Sequence, residues 1–230
     1  MKLTKVTITG VDDGIDYRDI DKLSDKYPFV EFGVLCSASR EGKDPRYPSK
    51  EFLNRFVSSV TPWTALSAHL CGQFSRDATG GAFIWAIDRT SVFQRVQRSQ
   101  FNGTVSDATI DRLALYTKHF PNKEYILQTA NFAAAQKMAL SCGDYLPAFL
   151  LDKSGGHGLE LDVFEKPPAF GDYGYAGGFG PDNLQSVLEK ITSIESDLGF
   201  WVDMESKVRT NDHLDLAKVQ QCLDIAALFI

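Results

Sequence analysis

The sequence predicts a single (β/α)8 barrel, and three observations predict it. β-rich runs alternate with helical stretches along the chain. About eight such runs can be distinguished, most of them followed by a helix. The length, 230 residues, is one at which a barrel of this kind can close. An open, doubly wound sheet is the other architecture the alternation allows.

The elements follow in order. Leu3–Thr9 alternates apolar and polar residues as a half-buried strand does, and Tyr17–Lys26 carries apolar residues at helical spacing. Phe29–Leu35 is strand two. Lys50–Val60 is helical: Ser49 is placed to accept from the unpaired N–H groups of the first turn, ahead of Phe52, Phe56 and Val57. Trp63–Leu70 is strand three. In the stretch Ser75–Val92, Asp77-Ala-Thr-Gly-Gly81 implies a break before the apolar run Ala82–Ile87. Val96–Phe101 is strand four, and Ser106–His119 a helix with Ile110, Leu113 and Leu115 in period. Glu124–Thr129 is strand five, Phe132–Leu140 an alanine-rich helix, and Tyr145–Leu151 strand six, ending at Asp152. Asp172–Ala176 is strand seven, followed by a helix over Pro181–Ile191 with proline in its first turn. Leu198–Val202 is strand eight and Leu214–Leu228 the terminal helix. One barrel domain over 1–230 follows.

Composition narrows the function. Hydrophobic residues make up 43% and charged residues 23%, as in soluble globular chains. The net charge of −6 argues against nucleic acid or a membrane surface as partner, while leaving room for a local anion pocket. No run approaches the ~18 apolar residues of a membrane span. The first ten residues alternate like a strand and lack a secretory apolar segment. Cys36, Cys71, Cys142 and Cys222 lie far apart with no C-x-x-C pair, so reduced thiols and a cytoplasmic location are expected. His69, His119 and His213 have no partner at ligand spacing, so no metal site is expected, and His213 is a candidate cap for the last helix. Trp63, Trp85 and Trp201 are expected to pack in the interior or beneath helices.

In such a barrel, chemistry belongs at the C-terminal ends of the strands. There the chain places Thr9, Cys36, Cys71, Asn102-Gly103, Gln128, Asp152, Gly177-Gly178 and Asp203. Gly177-Gly178-Phe179-Gly180-Pro181 leads from strand seven into a helix. Glycine lets backbone approach an anion, and the helix start offers unpaired N–H groups; an ordinary βα turn needing glycine for its dihedrals has the same pattern. Asp152 ends an apolar strand. A carboxyl there must find a partner, line a cleft or hold its proton, which suits a general acid, although an aspartate capping the next loop is the plainer alternative. Ser154-Gly155-Gly156-His157-Gly158 then forms a loop able to fold over a ligand. Arg46, between Pro45 and Pro48, can clamp a carboxylate or phosphate bidentately, or simply face solvent.

Segments across most of the chain, in order, resemble the phosphoribosylanthranilate isomerase family of tryptophan biosynthesis. Val6-Thr7-Ile8-Thr9-Gly10 is similar to the family's V-K-I-C-G, Phe32-Gly33-Val34-Leu35 to G-F-V-F, and Arg46-Tyr47-Pro48-Ser49 to R-Y-I-S. Gln100-Phe101-Asn102-Gly103 is similar to Q-L-H-G, and Leu150-Leu151-Asp152 followed by Gly155-Gly156-His157-Gly158 to L-L-D and G-G-S-G. Ala176-Gly177-Gly178-Phe179-Gly180-Pro181-Asp182-Asn183 resembles S-G-G-L-x-P-E-N, and the stretch from Val202 to Arg209 resembles V-D-V-S-S-G-V-E. The strength lies in their collinearity.

The resemblance implies a TIM barrel that performs an Amadori-type aldose–ketose isomerisation without a cofactor. Asp152 would be the general acid and Arg46 would hold the substrate carboxylate. Gln100 and Asn102 would contact the substrate. Gly177, Gly178, Ser206 and Lys207 would bind its phosphate. Thr9 stands in the catalytic position where the family has its cysteine base. A threonine hydroxyl is no base near neutrality without an activator; Cys36, Cys71, Asp12 and Asp13 are the nearby alternatives. Asn102 replaces a frequent histidine. Glu205 enters the phosphate turn and would repel the anion if it pointed inward, with Lys207 and Arg209 offsetting it. Three functions follow: the isomerase itself, the same barrel on another phosphorylated sugar or nucleotide derivative, and a phosphate-ligand binding protein without catalysis.

Overall fold

The computed structural model describes residues 1–80, 95–102, 120–133, 135, 137, 147–153, 163–168 and 171–230. The predicted run Ala82–Ile87, the helix Ser106–His119, Gly103, Cys142, Trp85 and the loop Ser154–Gly158 with His157 lie outside the described residues, as does part of Phe132–Leu140.

Eight parallel strands close in sequence order into a barrel. They are β1 (Lys2–Thr9), β2 (Val30–Cys36), β3 (Ala65–Leu70), β4 (Arg98–Phe101), β5 (Glu124–Thr129), β6 (Ala148–Asp152), β7 (Tyr173–Ala176) and β8 (Gly199–Met204). The ring closes where β1 pairs with β8, Val6 opposite Val202 and Thr7 opposite Asp203. The open-sheet alternative is excluded by that pairing.

Helices α1 (Tyr17–Lys26), α2 (Lys50–Ser59), α3 (Gln73–Gly80), α4 (Leu184–Thr192) and α5 (Leu216–Ala226) lie between or after strands. Ser49 caps α2, its hydroxyl accepting from Phe52 N, as the sequence predicts. Asp215, rather than His213, caps α5, accepting from the backbone of Ala217 and Lys218. His213 lies instead in β10 (His213–Leu214), paired antiparallel with β9 (Arg209–Thr210). Trp63 is also a correction: it is 67% exposed, with its indole N–H donating to Asp25.

Strand alternation divides the molecule into two apolar layers. Val6, Ile8, Phe32, Val34, Tyr173, Tyr175 and Val202 belong to the large core cluster that also includes Leu23, Phe56, Leu188 and Leu223 from the helices. Ile126, Ala148, Leu150 and Trp201 form a separate, smaller cluster on β5, β6 and β8. The alternate positions of β1, β3 and β4 carry buried polar side chains, Thr7, Thr9, Ser67, His69, Arg98 and Gln100, to which β2 adds Glu31.

A buried charge must be paired. Arg98, 3% exposed, donates to Glu31 at 3.2 Å and to Glu124 at 2.6 Å. Its guanidinium also lies 4.4 Å from the Trp201 ring centroid. These residues stand at or near the starts of their strands, so the network braces the end of the barrel opposite the strand C-termini.

Candidate active site

The strand C-termini surround a small cavity of about 60 Å³ that opens to solvent. Its lining includes His69, Gln100, Asn102, Gln128, Asp152, Gly177, Gly178, Asp203, Glu205 and Ser206. Strand register brings them there: Asp152 is level with Ala176, and Ala176 with Asp203. Two strand spacings put the two aspartate backbones roughly 10 Å apart.

Asp152, at the end of β6, is 6% exposed and accepts from Gln128 Nε2 at 2.6 Å. Asp203, one residue before the end of β8, accepts from Thr9 Oγ1 at 2.6 Å. Burial, the strongest influence, pushes Asp203 up to about 7; Glu31 and Asp152 add to the rise, while the Thr9 hydroxyl and Arg98 oppose it.

His69, on β3, approaches Asp203 from the polar floor. Nε2 lies 3.2 Å from Ser67 Oγ and 3.5 Å from Thr9 Oγ1, while Nδ1 is 3.9 Å from Asp203 Oδ2. Burial pulls His69 down to about 4, so at neutral pH the imidazole is uncharged and its approach to Asp203 is not an ion pair. Gly33 makes this meeting of β1 and β3 possible: a Cβ there would lie 2.6 Å from Thr9 Oγ1 and 2.8 Å from His69 Nε2.

The glycine turn after β7 also lines the cavity. Gly178 has φ 65°, a conformation that favours glycine. Its carbonyl accepts from Asn183 Nδ2, and Asn183 Oδ1 in turn accepts from Gly180 N at 2.9 Å. Ser206 faces the turn from the 3₁₀ segment Ser206–Val208, whereas Lys207 is exposed and packs beside Gly180. Across β4, Gln100 Nε2 donates to Asn102 Oδ1 at 2.8 Å, and Asn102 Nδ2 reaches Cys71 Sγ at 3.2 Å.

Arg46 is drawn to the mouth rather than the floor. Its Nε donates to Asp212 Oδ1 at 2.8 Å and its Nη1 to Glu205 Oε1 at 3.1 Å. Glu205 points inward, and burial and Asp203 raise its pKa against the pull of Arg46. Arg209 does not offset Glu205 by facing the cavity: its side chain is 2% exposed and donates to Gly10 O, Asp12 Oδ2 and Asp212 O. No Lys or Arg is among the described residues lining the cavity. Beside it, a second cleft lined by Ser37, Tyr47, Cys71, Arg40 and Arg76 carries guanidinium groups.

The other proton acceptors proposed from sequence sit elsewhere. Cys36 is buried, directs its thiol at Val34 O, and is pushed by burial to about 12. Cys71 lines the neighbouring cleft, and burial likewise raises its thiol. Asp12 is locked by Arg209 and by Leu214 N, and Asp13 accepts from Ser49 N. Thr9, 1% exposed, lies below the rim with its hydroxyl proton given to Asp203. His69 is the site residue that sequence reasoning missed. The alternation of Ser67 and His69 with Leu66, Ala68 and Leu70 carried the signal, since it puts both polar groups on the strand's inner face. Among the described residues, no group of three or more His, Cys, Asp or Glu could hold a metal ion, and no helix is long and apolar enough to cross a membrane.

A closed (β/α)8 barrel with a carboxyl-bearing pocket at its strand C-termini is thus the class of structure in hand. Among solved structures it is similar to phosphoribosylanthranilate isomerase from Thermotoga maritima, with a TM-score of 0.64 and 16% identity, over 98% of this chain and 99% of that one. It is similar to TrpF from Jonesia denitrificans, with a TM-score of 0.64 and 19% identity over 97% of each chain. A third phosphoribosylanthranilate isomerase, solved in complex with reduced 1-(o-carboxyphenylamino)-1-deoxyribulose 5-phosphate, matches with a TM-score of 0.60 and 15% identity over 98% of this chain and 99% of that one. At these identities the likeness establishes a shared fold. No protein-family model and no curated protein matches the chain.

Proposed function

We infer that this barrel is an aldose–ketose isomerase acting on a phosphoribosyl amine, in the manner of the phosphoribosylanthranilate isomerases whose fold it shares. The observation that carries the reading is Asp152: a carboxyl on the strand-six rim, held by Gln128, in the same cavity as the Gly177-Gly178 turn. Asp152 gives its proton to the ribose ring oxygen. The C1–O bond breaks as the amine nitrogen's lone pair forms a C1=N iminium. Loss of the C2 proton sends the C–H electron pair into C1=C2 and returns the iminium pair to nitrogen, giving an enolamine. Ketonisation then yields the aminoketone. Hydrogen is redistributed within one molecule, so the overall reaction needs no redox partner.

Gly177, Gly178 and Ser206 would take the phosphate, with Lys207 adding charge from the solvent side. Gln100 and Asn102 would bind the sugar hydroxyls. For Arg46 to hold a substrate carboxylate, that group must displace Glu205 or Asp212. Glu205 also supports a second reading, the same barrel acting on another sugar derivative, because a carboxylate facing the turn disfavours a phosphate in that position.

The test is turnover of phosphoribosylanthranilate by the purified protein. Conversion to the aminoketone is expected, with Asp152→Asn lowering kcat by about 10²–10⁴-fold. Full turnover by Asp152→Asn would overturn the assignment. No turnover, with Tm raised by other sugar phosphates, would favour the second reading.

A further inference from the structure

We propose that Asp203 is the general base of this reaction, removing the C2 proton in place of the first-strand thiol that Thr9 supplants. The assignment rests on the isomerase reading above and deepens it. Thr9 and Asp203 lie on adjacent strands joined at the barrel seam, and the Thr9 hydroxyl donates to Asp203 Oδ1 at 2.6 Å. The proton acceptor has thus moved one strand over, and the side chain in the old position now orients the new one.

Asp203 opens into the same cavity as Asp152, from the other side of the residue pair Ala176 and Gly177. A substrate seated across that turn has an acid on one flank and a base on the other. His69 is a poor acceptor there, since burial holds its pKa near 4. Glu205 is held at the mouth by Arg46.

The groups that act on Asp203 come from several strands: Thr9 on β1, His69 on β3, Asp152 on β6 and Glu205 just beyond β8 at the rim, with Glu31 on β2 and Arg98 on β4 acting at longer range from the other end of the barrel. Strand β7 presents Ala176, which does not titrate. Burial, with Glu31 and Asp152 adding to it, raises Asp203 to about 7, so about half of it is ionised at neutral pH and that carboxylate is a stronger base than an ordinary one.

The proton balance closes. The cycle runs from the state in which the proton shared by the two carboxyls is on Asp152 and Asp203 is the carboxylate. Ring opening spends the Asp152 proton, and enolamine formation protonates Asp203. Ketonisation moves the Asp203 proton to C1 and the C2-hydroxyl proton to Asp152, restoring both groups.

The experiment uses phosphoribosylanthranilate deuterated at C2, with enzyme in excess, across a range of pH. In the wild type the rate of C2–D cleavage should rise with pH through about 7, as Asp203 ionises. Asp203→Asn should slow that cleavage by about 10²–10⁴-fold. Thr9→Val keeps the base but removes its donor, so the rising limb should move to higher pH; this readout stands even if Asp203→Asn fails to fold. Cleavage by folded Asp203→Asn within a few-fold of wild type, or a limb unmoved in Thr9→Val, would overturn the assignment and leave the isomerase reading intact. A wild type that never cleaves the C2–D bond would overturn both.

Discussion

At the scale of residues, the pocket is destabilised by its own chemistry. Asp203 is raised from the ordinary 3.8 to about 7 on folding, so ionising it works against the folded state. The penalty sets in as pH rises past the unfolded value and is complete above the folded one. Asn cannot ionise, and its side-chain oxygen can still accept from Thr9. Asp203→Asn should therefore match the wild type in stability near pH 4 and exceed it at pH 8 by an amount on the order of a few kcal/mol, or a Tm increase of roughly 5–10 °C. Thermal denaturation at the two pH values checks this; an equal difference at both would show that Asp203 ionises as freely as in the unfolded chain. Asp152 was legible in the sequence because an apolar strand ending in a carboxyl is a local pattern. The pairing of Thr9 with Asp203 was not, since its partners are 194 residues apart and meet only when the barrel closes. The inward turn of Glu205 and the burial of Arg209 depend on the same closure.

At the scale of elements, the strands and most described helices fall within a few residues of where period and capping put them, because those signals are local. Glu124–Thr129 and Tyr17–Lys26 agree at both ends. The helix after β7 begins at Leu184 rather than Pro181, because Gly180, Pro181 and Asp182 are used in the turn and its Asn183 hydrogen bonds. The β9–β10 hairpin was overlooked, although Asn211-Asp212 is a two-residue turn signal. Both residues have positive φ, 51° and 65°, and Asp212 helps hold Arg46 at the pocket mouth. An alanine at 211 would meet the left-handed penalty of about 1–2 kcal/mol. Asn211→Ala should accordingly lower Tm by roughly 2–8 °C, whereas Asn211→Gly should lower it far less. Equal losses would mean that the side chain, not the backbone conformation, matters at this turn.

At the scale of the whole molecule, the barrel keeps its buried ion-pair network and its cavity at opposite ends of its axis. The Arg98 network braces the starts of the strands, the apolar cluster around Trp201 fills the interior of β5 to β8, and the polar interior of β1 to β4 leads to His69 and the cavity. Closure itself was legible from the count of alternating units. What the cavity accepts was not, because the sign of its charge is set by which side chains turn inward. The most direct measurement is a crystal structure with bound reduced 1-(o-carboxyphenylamino)-1-deoxyribulose 5-phosphate. The account predicts that the ligand's C2 lies between the carboxyls of Asp152 and Asp203, with its phosphate against Gly177 and Gly178. A ligand whose phosphate lies instead in the cleft of Arg40 and Arg76, with C2 beyond reach of both aspartates, would contradict it.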